Sequence, residues 1–175
     1  MSDKPLVGIS ACLLGDKVRY DGGDKLDPDI RDVLGKQVEF IGICPEQESG
    51  MGVPREAMRL VNVDGNVRLM TQQTAKDMTQ QMQTWMQKNL AELSGLPLCG
   101  YIFKARSPSC GLVSAPCNQQ DGGEAKIVSG LFAKALTDRF PTLPVADEEQ
   151  LHNVQFRDNF IERVFSMHRR SGRLS

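Results

Sequence analysis

Three cysteines, Cys12, Cys44 and Cys110, share one kind of position in the chain. Each stands at or shortly after the end of a short apolar run that is typical of a buried strand. The three runs are residues 6–11, 38–43 and 98–103. In open α/β sheets, ligands bind outside the carboxyl ends of the strands. We therefore expect three thiols that are distant in sequence to meet in one crevice.

Three converging thiolates suit a metal centre. A structural zinc site normally takes four protein ligands, often in short paired spacings such as Cys-x-x-Cys, and this chain has no such pair. A [4Fe-4S] cluster held by three cysteines leaves one iron without a protein thiolate, and that iron can act as a Lewis acid. The residues favour iron over zinc, although each cysteine would also suit a small buried apolar position.

The other two cysteines are interpreted differently. Cys99 lies inside the third apolar run and is expected in the core. Cys117 follows Pro116 in a segment predicted to be a loop, where it is either a bystander, which we favour, or a fourth ligand. Five cysteines, an odd number, in a chain without a recognisable export signal argue against a disulfide framework and for reduced thiols.

The third cysteine belongs to a segment that we name the cysteine loop, residues 104–111, with the sequence Lys-Ala-Arg-Ser-Pro-Ser-Cys-Gly. A polar stretch with Ser, Pro and Gly after an apolar run predicts a tight loop. Pro108 fixes its own φ and favours an extended conformation at Ser107, while Gly111 permits a sharp turn. The cysteine should therefore be presented in a defined direction.

Hydrophobic periodicity predicts the elements that must position these residues. The most regular helix covers 71–93, where Met and Leu side chains recur every three or four residues as a core-facing stripe. Asp64-Gly65 predicts a two-residue hairpin turn between strands at 59–63 and 66–70. The other predicted elements are a short helix at 28–34, an irregular segment over the site at 47–58, a polar loop at 118–124, a helix at 130–140, a strand at 143–145 and a helix at 147–168.

Strands that alternate with helices indicate a parallel sheet covered by helices. We predict an α/β protein with a compact Rossmann-like three-layer fold, in which a mostly parallel sheet carries helices on both faces; a mixed sheet is the alternative. The length of 175 residues suits a single domain over 1–175. It would comprise a motif-bearing core at 5–145 and a C-terminal helical extension at 147–170.

Composition restricts the partners. A formal net charge of −1 argues against binding to a nucleic acid polymer, although a small anionic ligand needs only a few local Lys and Arg side chains. The sequence contains no apolar run of about eighteen residues, the length that a membrane span needs. We expect a cytoplasmic protein that binds a small molecule and is a monomer or a small homo-oligomer.

Three motifs together resemble the thiouracil desulfidase (TudS) family. They are Ile-Ser-Ala-Cys-Leu-Leu-Gly at 9–15 with Val-Arg-Tyr-Asp-Gly at 18–22, Cys-Pro-Glu at 44–46 with Gly50, Gly52, Pro54 and Arg55, and the cysteine loop. They occur in the expected order over roughly residues 5–145. The resemblance implies a [4Fe-4S] cluster held by Cys12, Cys44 and Cys110, with one iron open to the substrate's sulfur.

The same resemblance implies a reaction. It is the non-redox desulfuration of 4-thiouridine monophosphate, 4-thiouracil or 2-thiouracil to the uracil form plus hydrogen sulfide. Replacing C=S by C=O needs water and a base, and Glu46, two residues after Cys44, is the expected base. A helix cap or an ion pair is the other interpretation of Glu46. Ser107, slightly favoured, or Ser109 would orient the water or donate a proton, unless these hydroxyls only stabilise the turn.

Several polar residues within the motifs are expected to bind the substrate. Lys104 and Arg106 would hold a phosphate or a developing negative charge, although solvated cations are common at strand ends. Arg55 would anchor a phosphate. The full predicted set is Arg19, Tyr20, Asp21, Arg55, Lys104 and Arg106.

Two other functional classes stay open. One is a non-catalytic iron–sulfur or zinc-binding sensor module. The other is a hydrolase with Cys110 as its nucleophile, which would need a nearby histidine as base. His152 and His168 lie in the C-terminal helical region, away from every motif, so a histidine base is not expected.

Overall fold

A computed structural model describes residues 3–172. The ends of the predicted domain, residues 1–2 and 173–175, lie outside the described residues. The eight described strands are β1 (Leu6–Ser10), β2 (Glu39–Ile43), β3 (Met58–Val63), β4 (Asn66–Thr71), β5 (Leu98–Phe103), β6 (Ala115–Gln119), β7 (Lys126–Val128) and β8 (Val145–Asp147). The four described α-helices are α1 (Thr79–Ser94), α2 (Leu131–Arg139), α3 (Glu148–Leu151) and α4 (Val154–Gly172). Shorter helical turns cover Ala11–Leu14, Asp29–Val33, Leu34–Lys36 and Gln47–Met51.

The central sheet is parallel and has the strand order β2-β1-β5-β8. The chain moves from β1 to β2 on one side and later returns to β5 on the other side. Because the winding direction reverses at β1, a crevice opens at the carboxyl ends of β1 and its neighbours. The predicted α/β fold with a mostly parallel sheet is confirmed.

Apolar side chains pack on both faces of this sheet. On one face, Ile9 and Ile102 belong to a buried cluster that includes Leu151 of α3 and Phe160 and Val164 of α4. On the other face, the buried cluster joins the sheet to α1, α2 and a second sheet; its members include Leu60, Leu69, Met82, Tyr101, Phe103 and Phe132. The layer on this second face therefore contains strands as well as the predicted helices.

The second sheet has the order β4-β3-β6-β7. The predicted hairpin of β3 and β4 is confirmed, and both Asp64 (φ 52°) and Gly65 (φ 84°) have the positive φ that its two-residue turn requires. The polar loop predicted at 118–124 is wrong in part, because β6 runs through Gln119 and pairs in parallel with β3. Only Ala115 and Cys117 of β6 are buried, so the apolar alternation is too short to recognise in the sequence.

Three other element boundaries differ from the prediction. Helix α1 begins at Thr79 rather than at 71, because Thr71 pairs with Met58 as the last residue of β4. Strand β8 begins at Val145 rather than at 143. The helix predicted at 147–168 is divided into α3 and α4, and Asp147 caps α3 by accepting a hydrogen bond from the backbone N–H of Gln150 at 2.8 Å. Across residues 3–172, no helix has the length and apolar character needed to span a membrane.

Candidate active site

The carboxyl ends of β1, β2 and β5 open into a cavity of about 360 Å³. Cys12 lies on the helical turn that follows β1, Cys44 directly after β2, and Cys110 on the cysteine loop after β5. All three cysteines line this cavity. Their common position at strand ends therefore brings them to one crevice, as the sequence pattern predicts.

The three thiols influence one another electrostatically. Burial, followed by the charge of Cys44, raises the pKa of Cys12 to about 11 against the lowering effects of Arg19 and Lys104. Burial also raises the pKa of Cys44 and of Cys110, and the charges of Cys12 and Cys44 add to the rise at Cys110. The thiols are therefore neutral in the free protein, and binding a metal centre must displace their protons.

The other cysteines lie elsewhere. Cys99 is fully buried within β5, and Cys117 is 1% exposed within β6. The prediction of a loop at Cys117 is wrong, because this residue packs in the core between the two sheets. Neither cysteine is among the residues that line the cavity.

The three cavity-lining thiols are possible ligands of a single metal ion or of an iron–sulfur cluster. Within residues 3–172, no group of three or more His, Cys, Asp or Glu side chains is placed so that it could hold a metal ion. A cubane cluster differs from a single ion, because each cysteine binds a different iron. Three thiols and no fourth cysteine among the described cavity-lining residues fit a [4Fe-4S] cluster with one iron free of protein thiolate.

A buried ion pair forms part of the cavity wall. Glu46 Oε2 accepts hydrogen bonds from Arg55 Nη2 at 2.6 Å and Arg55 Nε at 3.1 Å. The two side chains are only 14% and 6% exposed. Arg55, predicted to anchor a phosphate, also donates from Nη1 to the carbonyl of Gly52 at 2.8 Å. Its guanidinium therefore fixes one oxygen of Glu46 and leaves the other, Oε1, for other partners.

The two serines of the cysteine loop have different partners. Ser109 Oγ donates to Glu46 Oε1 at 3.4 Å and to Cys110 Sγ at 3.7 Å. Ser107 Oγ accepts the backbone N–H groups of Ser109 at 3.2 Å and Cys110 at 3.1 Å, and it lies 3.1 Å from Ser109 Oγ. Ser107 therefore stabilises the turn, whereas Ser109 connects the carboxylate with a cysteine sulfur.

The amino end of α2 holds the cysteine loop in place. The backbone N–H of Phe132 donates to the carbonyl of Ser109 at 2.9 Å, and the N–H of Gly130 donates to that of Gly111 at 2.7 Å. A Cβ on Gly130 would lie 2.5 Å from the carbonyl carbon of Ser109, so only glycine permits this approach. The carbonyl groups of the loop thus accept hydrogen bonds from N–H groups at the start of α2, which have no partner within the helix.

The cations predicted at the end of β5 are paired with carboxylates. Lys104 Nζ lies 2.9 Å from Glu148 Oε2, and both side chains are largely buried. Arg106 pairs with Glu149 at the exposed rim. Both cations line the cavity, but each already has a counter-ion. They are therefore less available to a substrate anion than their sequence positions indicate.

The loop between β1 and β2 supplies the outer wall. Arg19, Tyr20 and Lys25 line the cavity, and the guanidinium of Arg19 lies 5.7 Å from the centre of the Tyr20 ring. No ion pair of the described residues involves Arg19 or Lys25. Asp21, predicted in the substrate pocket, is not among the cavity-lining residues; its carboxylate accepts the N–H of Gly23 at 2.9 Å.

Comparison with known proteins identifies the family. Residues 7–148 match the family model described as 2-thiouracil desulfurase. The chain belongs to this family. It is also similar to a solved structure, the [4Fe-4S]-dependent thiouracil desulfidase TudS, with a TM-score of 0.69 and 26% sequence identity over 89% of this chain and 99% of that one. No curated protein matches the chain.

Three residues that motif analysis did not single out lie in or beside the cavity of this desulfurase. The hydroxyl of Ser10 accepts the N–H of Lys104 at 2.9 Å. Its hydrogen bond to the sulfur of Cys110 lowers the pKa of Cys110 against the larger effect of burial. A serine near the end of an apolar run was the available signal. Lys25, which lines the cavity, and Glu148, which pairs with the cavity-lining Lys104, had no such signal, because only the folded chain brings them there.

The histidines of this desulfurase are remote from its cavity. His152 Nε2 lies 2.7 Å from Asp27 Oδ2, and His168 Nε2 lies 3.1 Å from the carbonyl of Asp3. Neither histidine is among the described residues that line the cavity. Because burial also raises the pKa of Cys110, the arrangement does not favour a cysteine nucleophile activated by histidine.

Proposed function

We propose that this desulfurase family member binds a [4Fe-4S] cluster through Cys12, Cys44 and Cys110 and removes sulfur from thiolated uracil compounds. The observation that carries the proposal is the meeting of three strand-end cysteines and one buried carboxylate in a single cavity. The similar protein TudS is a [4Fe-4S]-dependent thiouracil desulfidase. When bound, the cluster would supply a Lewis-acidic iron that polarises the C=S bond and accepts the departing sulfur.

Glu46 acts as the general base. Its Oε2 is held by Arg55, so the carboxylate cannot turn away from the cavity, and Oε1 takes a proton from water. The water oxygen bonds to the thiocarbonyl carbon as the π electrons of C=S move to sulfur. When C=O forms, the C–S bond breaks and the sulfur leaves with two protons. The overall change is C=S plus water to C=O plus hydrogen sulfide.

Ser109 carries the proton from the base to the sulfur. Its hydroxyl donates to Glu46 Oε1 and lies 3.7 Å from Cys110 Sγ, so it stands between the carboxylate and the sulfur-binding part of the cavity. A hydroxyl donates one proton while it accepts another, so Ser109 can relay a proton without becoming charged. Ser107 holds the turn that orients it.

Arg19 and Lys25 bind the anionic part of the substrate. They line the cavity without a carboxylate partner among the described residues, in contrast to Lys104, Arg106 and Arg55. A phosphate would be held by charge-assisted hydrogen bonds at this outer wall. We therefore include 4-thiouridine monophosphate among the substrates beside 4-thiouracil and 2-thiouracil.

All five cysteines are free thiols and form no disulfide, which suits the reducing cytoplasm.

The test is analysis of iron and sulfide in protein purified without oxygen, followed by parallel incubation with 4-thiouridine monophosphate and 2-thiouracil. We expect about four iron and four sulfide per chain and a brown protein that releases sulfide. If Arg19 and Lys25 bind phosphate, KM is lower for the nucleotide than for the free base. A colourless, zinc-containing protein with full activity would contradict the proposal.

Two cysteine variants provide the matched comparison. Cys12→Ala removes a cavity thiol and is expected to lose the cluster and sulfide release together. Cys117→Ala removes a thiol buried in β6 and is expected to retain cluster content and activity. Loss of the cluster in both variants would mean that Cys117 is a ligand. Retention in both would exclude the three-cysteine site.

A further inference from the structure

A buried phenol belongs to the same apolar cluster as Cys110 and has no hydrogen-bond partner among the described residues. Tyr101, on β5, is fully buried, and its hydroxyl contacts no donor or acceptor among the described residues. Burying a hydroxyl without a partner is unfavourable, and such groups are rare in folded proteins. A bound group with an acceptor atom would satisfy this hydroxyl, which has no acceptor among the described residues.

The ring of Tyr101 is held firmly. It lies over Gly8 of β1, where an added Cβ would come within 2.4 Å of the ring atom Cδ2. Its centroid is 4.4 Å from that of Phe103, and Phe132 meets it edge-on at 5.7 Å. Because neighbouring groups pack against the ring from several sides, the ring cannot carry its hydroxyl oxygen towards another partner without disturbing the core.

The electrostatic neighbours of this hydroxyl include all three cysteines of the proposed cluster site, together with Glu48. Burial raises the pKa of Tyr101 well above its usual value, and negative charge on Cys110, Glu48, Cys44 and Cys12 raises it further. The phenol is therefore protonated and can only gain by donating its proton to an acceptor.

We propose that Tyr101 donates a hydrogen bond to a sulfur of the bound cluster, either its Cys110 ligand or a bridging sulfide. Cluster binding removes the cysteine protons and brings negatively charged sulfur atoms into the region, which makes good acceptors. Tyr101 is then a positioning residue that retains the cluster and raises its reduction potential. This inference rests on the proposed function, because it requires the cluster.

The test compares Tyr101→Phe with wild type in the apo and cluster-loaded forms. In the apo protein the substitution removes an unpartnered buried hydroxyl, so we expect the melting temperature to stay the same or rise. In the loaded protein it removes a hydrogen bond, so we expect cluster loss to a chelator to be about fivefold faster. The cluster's reduction potential should also become more negative.

Asn89→Leu provides the control. Asn89 on α1 carries the other buried unpartnered side-chain polar atom of the described residues, its Oδ1, and is not among the residues that line the cavity. This substitution should change the melting temperature equally in both forms and leave the rate of cluster loss and the potential unchanged.

The outcomes separate the inference from the proposed function. Equal effects of Tyr101→Phe in the two forms, with an unchanged potential, would overturn the inference even if wild type carries a full cluster. A wild-type protein without iron would overturn the proposed function first. Should Tyr101→Phe fail to fold, 3-fluorotyrosine is incorporated into the Tyr20→Phe variant, in which Tyr101 is the one remaining tyrosine. The more acidic phenol is a stronger donor, so the cluster's reduction potential should rise relative to unlabelled Tyr20→Phe, and an unchanged potential contradicts the inference.

Discussion

At the scale of single residues, the cavity separates roles that the motif alone cannot assign. Ser107 and Ser109 flank the same proline, yet Ser107 accepts two backbone N–H groups while Ser109 donates to Glu46. The hydroxyl that binds backbone determines the shape of the turn, and the other hydroxyl is free to act in chemistry. The slight preference for Ser107 in the sequence analysis is therefore replaced by a proposal for Ser109.

Alanine substitution should distinguish the two serines. Ser109→Ala is expected to lower kcat about a hundredfold with unchanged iron content, because it removes the proposed proton relay and little else. Ser107→Ala is expected to lower the free energy of unfolding by about 1 kcal/mol, because two loop N–H groups lose their acceptor. Steady-state kinetics and denaturant unfolding measure the two effects. A larger loss of kcat in Ser107→Ala than in Ser109→Ala would contradict the assignment.

The sequence predicted which residues surround the cavity better than it predicted their partners. Of the predicted site residues, only Asp21 does not line it. The carboxylates that pair with Lys104 and Arg106 belong to Glu148 and Glu149, the first two residues of α3. No local pattern links residues so distant in the chain, and their pairing depends on the order of strands in the sheet.

At the scale of elements, the site depends on the contact between the cysteine loop and α2. The helix starts at the loop's carbonyl groups, and Gly130 allows the backbones to approach closely. Strong apolar runs made β1, β2 and β5 predictable, and the Asp64-Gly65 pair made the hairpin predictable. In contrast, β6 and β7 are short and have few buried residues, so they form because neighbouring strands pair with them.

Substitution of Gly130 tests that contact. Gly130→Ala would place a Cβ 2.5 Å from a carbonyl carbon and 2.8 Å from the backbone nitrogen of Cys110, so the loop must move. We expect a loss of about 1–3 kcal/mol in unfolding free energy and a lower iron content per chain. Gly95→Ala is the control, because its Cβ would make an ordinary 3.5 Å contact with the carbonyl of Glu92. Equal iron content in both variants would show that the approach at Gly130 is not required.

At the scale of the whole molecule, the central sheet separates two apolar clusters, and the site lies at the carboxyl ends of its strands. The cluster on one side contains Tyr101 and Cys110, while the cluster on the other contains Cys12 and the inner side chains of α4. The family match ends at residue 148, before α4 begins. The last helix nevertheless covers β5, because Val164 and Phe160 pack against the space left by Gly100.

The contribution of α4 can be measured with two valines of the same helix. Val164 is fully buried, and its Cγ2 would lie 2.9 Å from a Cβ on Gly100, whereas Val154 is 59% exposed. Val164→Ala should lower the free energy of unfolding by about 2 kcal/mol, because it removes two buried methyl groups and leaves a cavity against β5. Val154→Ala should change it by less than about 0.5 kcal/mol. Denaturant unfolding of the apo protein measures both, and similar values would mean that α4 is not needed to stabilise the sheet that carries the cysteines.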